Sequence, residues 1–191
     1  MTSRSQEDRD LIRRYLAGDA AAFDALMQAH EDRVFSICLR MLRNRDAALD
    51  ASQDVFLTLF RKADRYNEQA AFSTWLYRVT VNVCYDHLRR NKRKRTEPLP
   101  EHVDPHDPSS GDALRAVELR PTIEEALRAL APEFRAAVVL VDLEGMSLSG
   151  AADTLEVPIG TVKSRVFRAR RQLAEELGNL APPREHPREE P

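Results

Sequence analysis

Apolar residues in the first half of the chain recur at helical spacing. Leu11, Ile12, Tyr15 and Leu16 form one set, and Phe23, Leu26, Met27, Val34, Ile37, Cys38, Met41 and Leu42 continue it. Positions three or four apart share a face at 3.6 residues per turn, so the pattern predicts helix after helix from residue 10 to about residue 95. Gly18-Asp19 and Asn44-Arg45-Asp46 are the expected breaks, and residues 66–71 an expected loop before the next helix. In the helix at residues 47–63, Val55, Phe56, Leu59 and Phe60 are expected to face inward. In the helix from Phe72 onward, Phe72, Leu76, Val79 and Val83 are the expected core face.

The pattern then stops. Residues 96–112, TEPLPEHVDPHDPSSGD, concentrate proline, aspartate and serine and have too few apolar side chains to pack, so they read as an acidic linker. Helical spacing returns with Ile123, Leu127 and Leu130. Pro132 suits the first turn of a helix running through Val138, Val139 and Leu140 towards a stop at Gly145. A short helix at residues 148–155, a tight turn at 156–158 and a longer helix at 159–177 complete a helix-turn-helix outline. The expected organisation is all-α: a helical domain at 1–95, a linker at 96–118, a second helical domain at 119–178 and a disordered tail at 179–191.

Charge changes the picture by its distribution, not its sum. The net charge of the 191 residues is only -2, yet cations gather in RRNKRKR at 89–95 and KSRVFRARR at 163–171. With 42% hydrophobic and 31% charged residues, the composition fits a folded globular chain. No apolar run is long enough for a membrane span and the polar start is unlike a signal peptide, so a cytoplasmic protein without membrane insertion is expected. Cys38 and Cys84 stand far apart without a metal-ligand pattern and read as core residues.

Three helices carry candidate chemistry. Winding residues 159–177 puts Val162, Val166, Ala169 and Leu173 on one face and Lys163, Ser164, Phe167, Arg168 and Arg171 on the other. In a DNA major groove, arginine bonds two guanine acceptors, serine reaches a base edge or phosphate, and a ring packs on a thymine methyl. The free amides around Gly160 and Thr161, at the helix start, suit a phosphate. On the helix from Phe72, the residues Trp75, Arg78, Asn82, Tyr85 and Arg89 line up beside the core face. Rings, an amide and cations in alternation suit unpaired bases and their backbone, and RRNKRKR extends the stripe as an anchor for duplex phosphates. Asp46, Asp50, Gln53 and Asp54 make an acidic surface near the start of the preceding helix, matched to the helix dipole or to a basic protein partner.

Nothing suggests catalysis or a cofactor. The histidines are scattered, with no nucleophile-and-base pair or phosphate loop near them; His102 and His106, beside Asp104 and Asp107, read as solvated linker residues and not as a metal site.

Residues 10–66 and the block FSTWLYRVTVNVCYDHLRR resemble region two of the extracytoplasmic-function sigma factors. ALRALAPEFRAAVVLVDLEGMSL and VPIGTVKSRVFRARRQL resemble their region four. The resemblance implies an alternative sigma factor that binds bacterial RNA polymerase core, through the beta-prime clamp helices and the beta flap, and directs it to promoter DNA. It further implies that Asp50, Gln53 and Asp54 grip the clamp helices. Phe72, Thr74, Trp75, Tyr77 and Asn82 match positions that open the -10 element and hold its strand, with the loop at 66–71 capturing a flipped base. Lys163, Ser164, Phe167, Arg168 and Arg171 match the helix that reads the -35 element. The linker would run towards the polymerase active centre, and an anti-sigma factor would be a regulatory partner. Departures from the family pattern are Gly150, where a glutamate commonly completes a capping box with Ser147, Glu156, where the turn commonly has glycine, and Asn67-Glu68 in the loop. The competing reading is a stand-alone helix-turn-helix regulator, which needs neither the Trp75 to Arg89 stripe nor the Asp50 to Asp54 surface.

Overall fold

The computed structural model describes residues 3–66, 71–96 and 120–178. All regular structure in them is helical. Four helices form the first half: α1 (Ser3–Leu16), α2 (Ala20–Leu42), α3 (Arg45–Lys62) and α4 (Phe72–Thr96), with a 3-10 turn at Ala63–Arg65 after α3. The second half has α5 (Arg120–Ala129), α6 (Pro132–Val138), α7 (Leu148–Leu155) and α8 (Ile159–Gly178). The expected linker, loop and tail lie outside the described residues, apart from their edges.

The turns follow from local chemistry. Gly18 at φ +102° reverses the chain between α1 and α2, and the Arg14 guanidinium forks onto Asp19 at 3.0 and 2.7 Å. Arg43, in the left-handed region at φ 59°, ends α2 by donating its N–H to the Leu39 carbonyl. Asn44 then caps α3, its side-chain oxygen accepting the Ala47 N–H at 2.7 Å.

Helix α1 starts at Ser3, about two turns before the expected residue 10. Its polar first half has no apolar stripe to read, and tertiary contacts hold it instead. The Asp8 carboxylate meets His30 Nε2 at 2.9 Å, both side chains buried, and the Arg4 guanidinium donates to the Ala29 carbonyl.

Ile12, Val34, Ile37, Cys38, Met41, Val55, Leu59, Leu76 and Cys84 fill the centre of the first half. Each fully buried aliphatic side chain there stabilises the fold by about 1.5–3 kcal/mol. The two cysteines touch, Sγ to Sγ at 3.7 Å, as free thiols in this core, and the hydrogen bond with Cys38, then burial, pushes the Cys84 thiol up. The core face of α4 differs from expectation after its first turn. Thr80, Val81 and Cys84 are buried, whereas Val79 and Val83 sit at its margin. Thr80 escapes an apolar count yet satisfies its hydroxyl within the helix, donating to the Leu76 carbonyl at 2.9 Å. Phe60, expected inside, is 55% exposed, with one edge against Tyr15 and Phe23.

The second half does not stand apart. Ala136, Ala137, Val139, Leu140, Ala151, Val162 and Val166 belong to the same apolar cluster as Ile37 and Leu76. Helix α7 packs on α4, and α6 with the following π turn (Val139–Leu143) packs on α2. Arg135 is buried without a carboxylate; its guanidinium donates to the carbonyls of Leu127, Arg128 and Leu130, closing α5, and of Met41 at the end of α2. Desolvation, then the nearby Arg43 and Arg128, lowers its pKa from the ordinary arginine value.

Candidate nucleic-acid interface

Helix α7 begins at Ser147, whose Oγ accepts the Gly150 N–H at 3.0 Å. Half of the capping box therefore forms; Gly150 has no side chain to return the second bond. The turn after α7 places Glu156 at φ 54°, a left-handed conformation that glycine would adopt more cheaply. Glu156 holds it with its N–H bonded to the Ala152 carbonyl. The departures at Gly150 and Glu156 thus leave the helix-turn-helix intact.

Helix α8 follows at once, with the Pro158 carbonyl accepting from Thr161 and Val162. Val162, Val166 and Ala169 are buried, which turns Lys163, Ser164, Phe167, Arg168 and Arg171 outward together. Phe167 is 68% exposed and stands among the cations of this face. Gly160 is exposed and Thr161 half-buried at the head of the helix. Ser164 donates to the Thr161 carbonyl at 2.9 Å, and Arg171 pairs with Glu175 one turn on, at 3.0 Å. The neighbouring Arg170 is engaged elsewhere, forked onto Asp142 at 2.9 and 2.5 Å, which raises its pKa. The outward face is therefore held by packing beneath it, and its cations Lys163 and Arg168 extend into solvent.

The stripe on α4 stays in line but is unevenly open. Asn82 and Arg89 are exposed; Thr74, Trp75, Arg78 and Tyr85 are half-buried; Phe72 and Tyr77 are buried. Phe72 belongs to an aromatic group with Tyr66 and Trp75, centroids 5.5 to 5.8 Å apart. Tyr77 lies under the Arg33 guanidinium, and burial raises its phenol pKa. Arg78 donates to the Asp153 carbonyl at 2.7 Å and pairs with Glu156 at 2.9 Å. Tyr85, its pKa likewise raised by burial, borders a cleft of about 430 Å³ with Arg89 and Lys92 on one side and Leu155, Val157 and Arg165 on the other. Arg89 is paired with Asp86 at 3.0 Å.

On α3, Asp50 and Gln53 are exposed. Asp54 accepts from His87 Nε2 at 2.8 Å, tying α3 to α4. Leu49, Leu57 and Phe60 are also exposed on this side of α3, so the surface is apolar as well as acidic. Sequence reading missed these three because apolar residues on an amphipathic helix are first assigned to its core. Their signal was an apolar stripe wider than one buried face requires. Among the described residues no helix is long and apolar enough to cross a membrane.

Helices throughout the described residues, the last two forming a helix-turn-helix with a cationic, aromatic outer face, define a class: helical DNA-binding proteins of the helix-turn-helix kind. Sigma-70 region 2 matches residues 26–94, and sigma-70 region 4 matches residues 121–173. The chain is 41% identical over 175 residues to the ECF RNA polymerase sigma factor SigM of Mycobacterium tuberculosis, covering 92% of this chain and 87% of that protein. It is 40% identical over 166 residues to SigE of Mycolicibacterium smegmatis, covering 84% of this chain and 64% of the longer relative. Among solved structures it is similar to the sigma factor RpoE bound to the anti-sigma factor NepR from Bartonella quintana. The TM-score is 0.66 at 26% identity, over 82% of this chain and 96% of that one. The fold is shared too with CnrH in complex with the cytosolic domain of CnrY, at TM-score 0.68 and 23% identity, over 91% and 98% of the two chains. The chain belongs to the ECF sigma factors of the sigma-70 family.

Proposed function

We propose that this chain binds bacterial RNA polymerase core in the cytoplasm and carries it to promoters as a non-catalytic initiation factor. The outer face of α8 reads the -35 element, and the α4 stripe binds the unpaired strand of the -10 element. The observation that carries this reading is the coexistence, on one chain, of a helix-turn-helix face with exposed Phe167 and an aromatic, cationic stripe on a separate helix. A duplex-only regulator needs the first and not the second. The exposed Leu49, Asp50, Gln53 and Leu57 on α3 suit a partner helix with basic and apolar side chains, the chemistry expected of the polymerase clamp.

In this mechanism the protein contributes binding energy to bases that have left the stack, which shifts the duplex towards its open form. Nucleotide chemistry stays with the polymerase. The test is run-off transcription from a promoter panel with purified core polymerase, this protein added or omitted. Start-site-specific transcripts that depend on the protein support the reading; tight duplex binding without transcripts returns the function to a stand-alone regulator.

A further inference from the structure

Polar contacts join the two halves at three places among the described residues, and one of them, at Arg78, lies on a surface that the proposed function requires to be free. Glu144, with a side chain only 5% exposed, accepts from Arg33 Nε at 2.8 Å and from Arg40 Nη1 at 2.6 Å, both on α2. Glu156 and the Asp153 carbonyl, at the end of α7, together hold Arg78 of the α4 stripe. Arg135 donates to the Met41 carbonyl. Helix α7 lies along α4 and Arg78 is half-buried against its end, while the outer face of α8 stays open.

This arrangement cannot engage both promoter elements. Elements centred near -10 and -35 lie roughly 25 base pairs apart, about 85 Å at about 3.4 Å per base pair. Helices α4 and α7 are in contact, so the two reading surfaces sit within one small body. Reading both elements requires α7 to leave α4.

We propose that Glu144 and Glu156 form a two-point ionic latch that holds the free chain closed, and that Glu156 acts as an internal competitor for Arg78. The inference rests on the reading of α4 as the strand-binding surface. The two points differ in weight. Arg78 and Glu156 are 33% and 62% exposed, so solvent screens that pair and it contributes little by itself. Glu144 is the stronger point, because two arginines converge on one buried carboxylate. The left-handed backbone at Glu156 fits the same scheme. Glycine would relieve the turn, but only a side chain reaches Arg78.

The experiment uses the full chain with dyes at Asp24→Cys and Glu176→Cys, both exposed sites, where Cys38 and Cys84 are buried. Single-molecule energy transfer reads the ratio of open to closed molecules. Glu144→Gln is expected to raise that ratio about tenfold or more, and Glu156→Gln about twofold to fivefold. Arg78→Glu alone should open the chain, and Arg78→Glu with Glu156→Arg should close it again. Wild-type run-off transcription is measured in parallel. Distances that ignore all four variants overturn the latch even if transcription succeeds. Distances that respond while transcription fails keep the latch and remove the sigma-factor reading of α4.

Discussion

Arg168 and Arg170 are two positions apart on α8 and have opposite fates. Arg170 is forked onto Asp142, whereas Arg168 is exposed beside Phe167. Only Arg168 is free to make a two-point guanine contact, so Arg168→Ala should weaken the cognate -35 element by about 1–3 kcal/mol and relax preference at one base pair. Competition binding against single-base variants checks this; an equal loss on every sequence would make Arg168 a phosphate contact instead. Trp75 leads to a different expectation. It leans on Tyr66 and Phe72 and keeps part of its surface open, so Trp75→Ala should impair promoter opening more than duplex binding. Comparing permanganate reactivity of the melted strand with duplex affinity separates the two; parallel losses would assign Trp75 to packing. Arg135 is the residue whose removal should cost most in stability. Arg135→Leu strips donors from buried carbonyls in both halves, and about 3 kcal/mol or more should be lost in urea unfolding.

At the scale of elements, α7 tests how much a short helix depends on its cap. With eight residues it is too short to persist alone, and Ser147 satisfies one of its free N–H groups. Ser147→Ala should therefore cost about 1 kcal/mol of stability, read as a lowered urea midpoint at unchanged slope. The same helix shows what could be read beforehand. Its bounds, the turn at 156–158 and the buried stripe of α8 were legible because apolar spacing and turn residues agree there. The polar start of α1 was not legible, because a buried Asp8–His30 pair holds it and pairing between distant residues leaves no periodic trace. The α4 core face drifted for a related reason: Thr80 is polar in composition and buried in fact. Within the candidate site, the outer residues of α8 and the line of the α4 stripe were legible from one helical period. The contact that the end of α7 makes with Arg78 was not, since it depends on how the halves meet.

At the scale of the molecule, the apolar cluster that runs from Ile12 to Val166 packs the halves against each other, so they are expected to unfold together. Trp75, the single tryptophan, lies on α4 against Tyr66 and Phe72, so its fluorescence is a probe placed in the first half. Leu140 is fully buried in the second half and shares the cluster. Leu140→Ala leaves a cavity there and should cost about 2–5 kcal/mol. If the halves unfold together, this distant change lowers the Trp75 melting temperature by as much as it lowers the melting temperature from far-ultraviolet dichroism, and both probes keep one transition. A Trp75 transition that stays in place while the dichroism splits in two would mean that the interface is too weak to couple the halves. The closed state would then open without the release of any latch, and polymerase would meet a chain already free to separate its two reading surfaces.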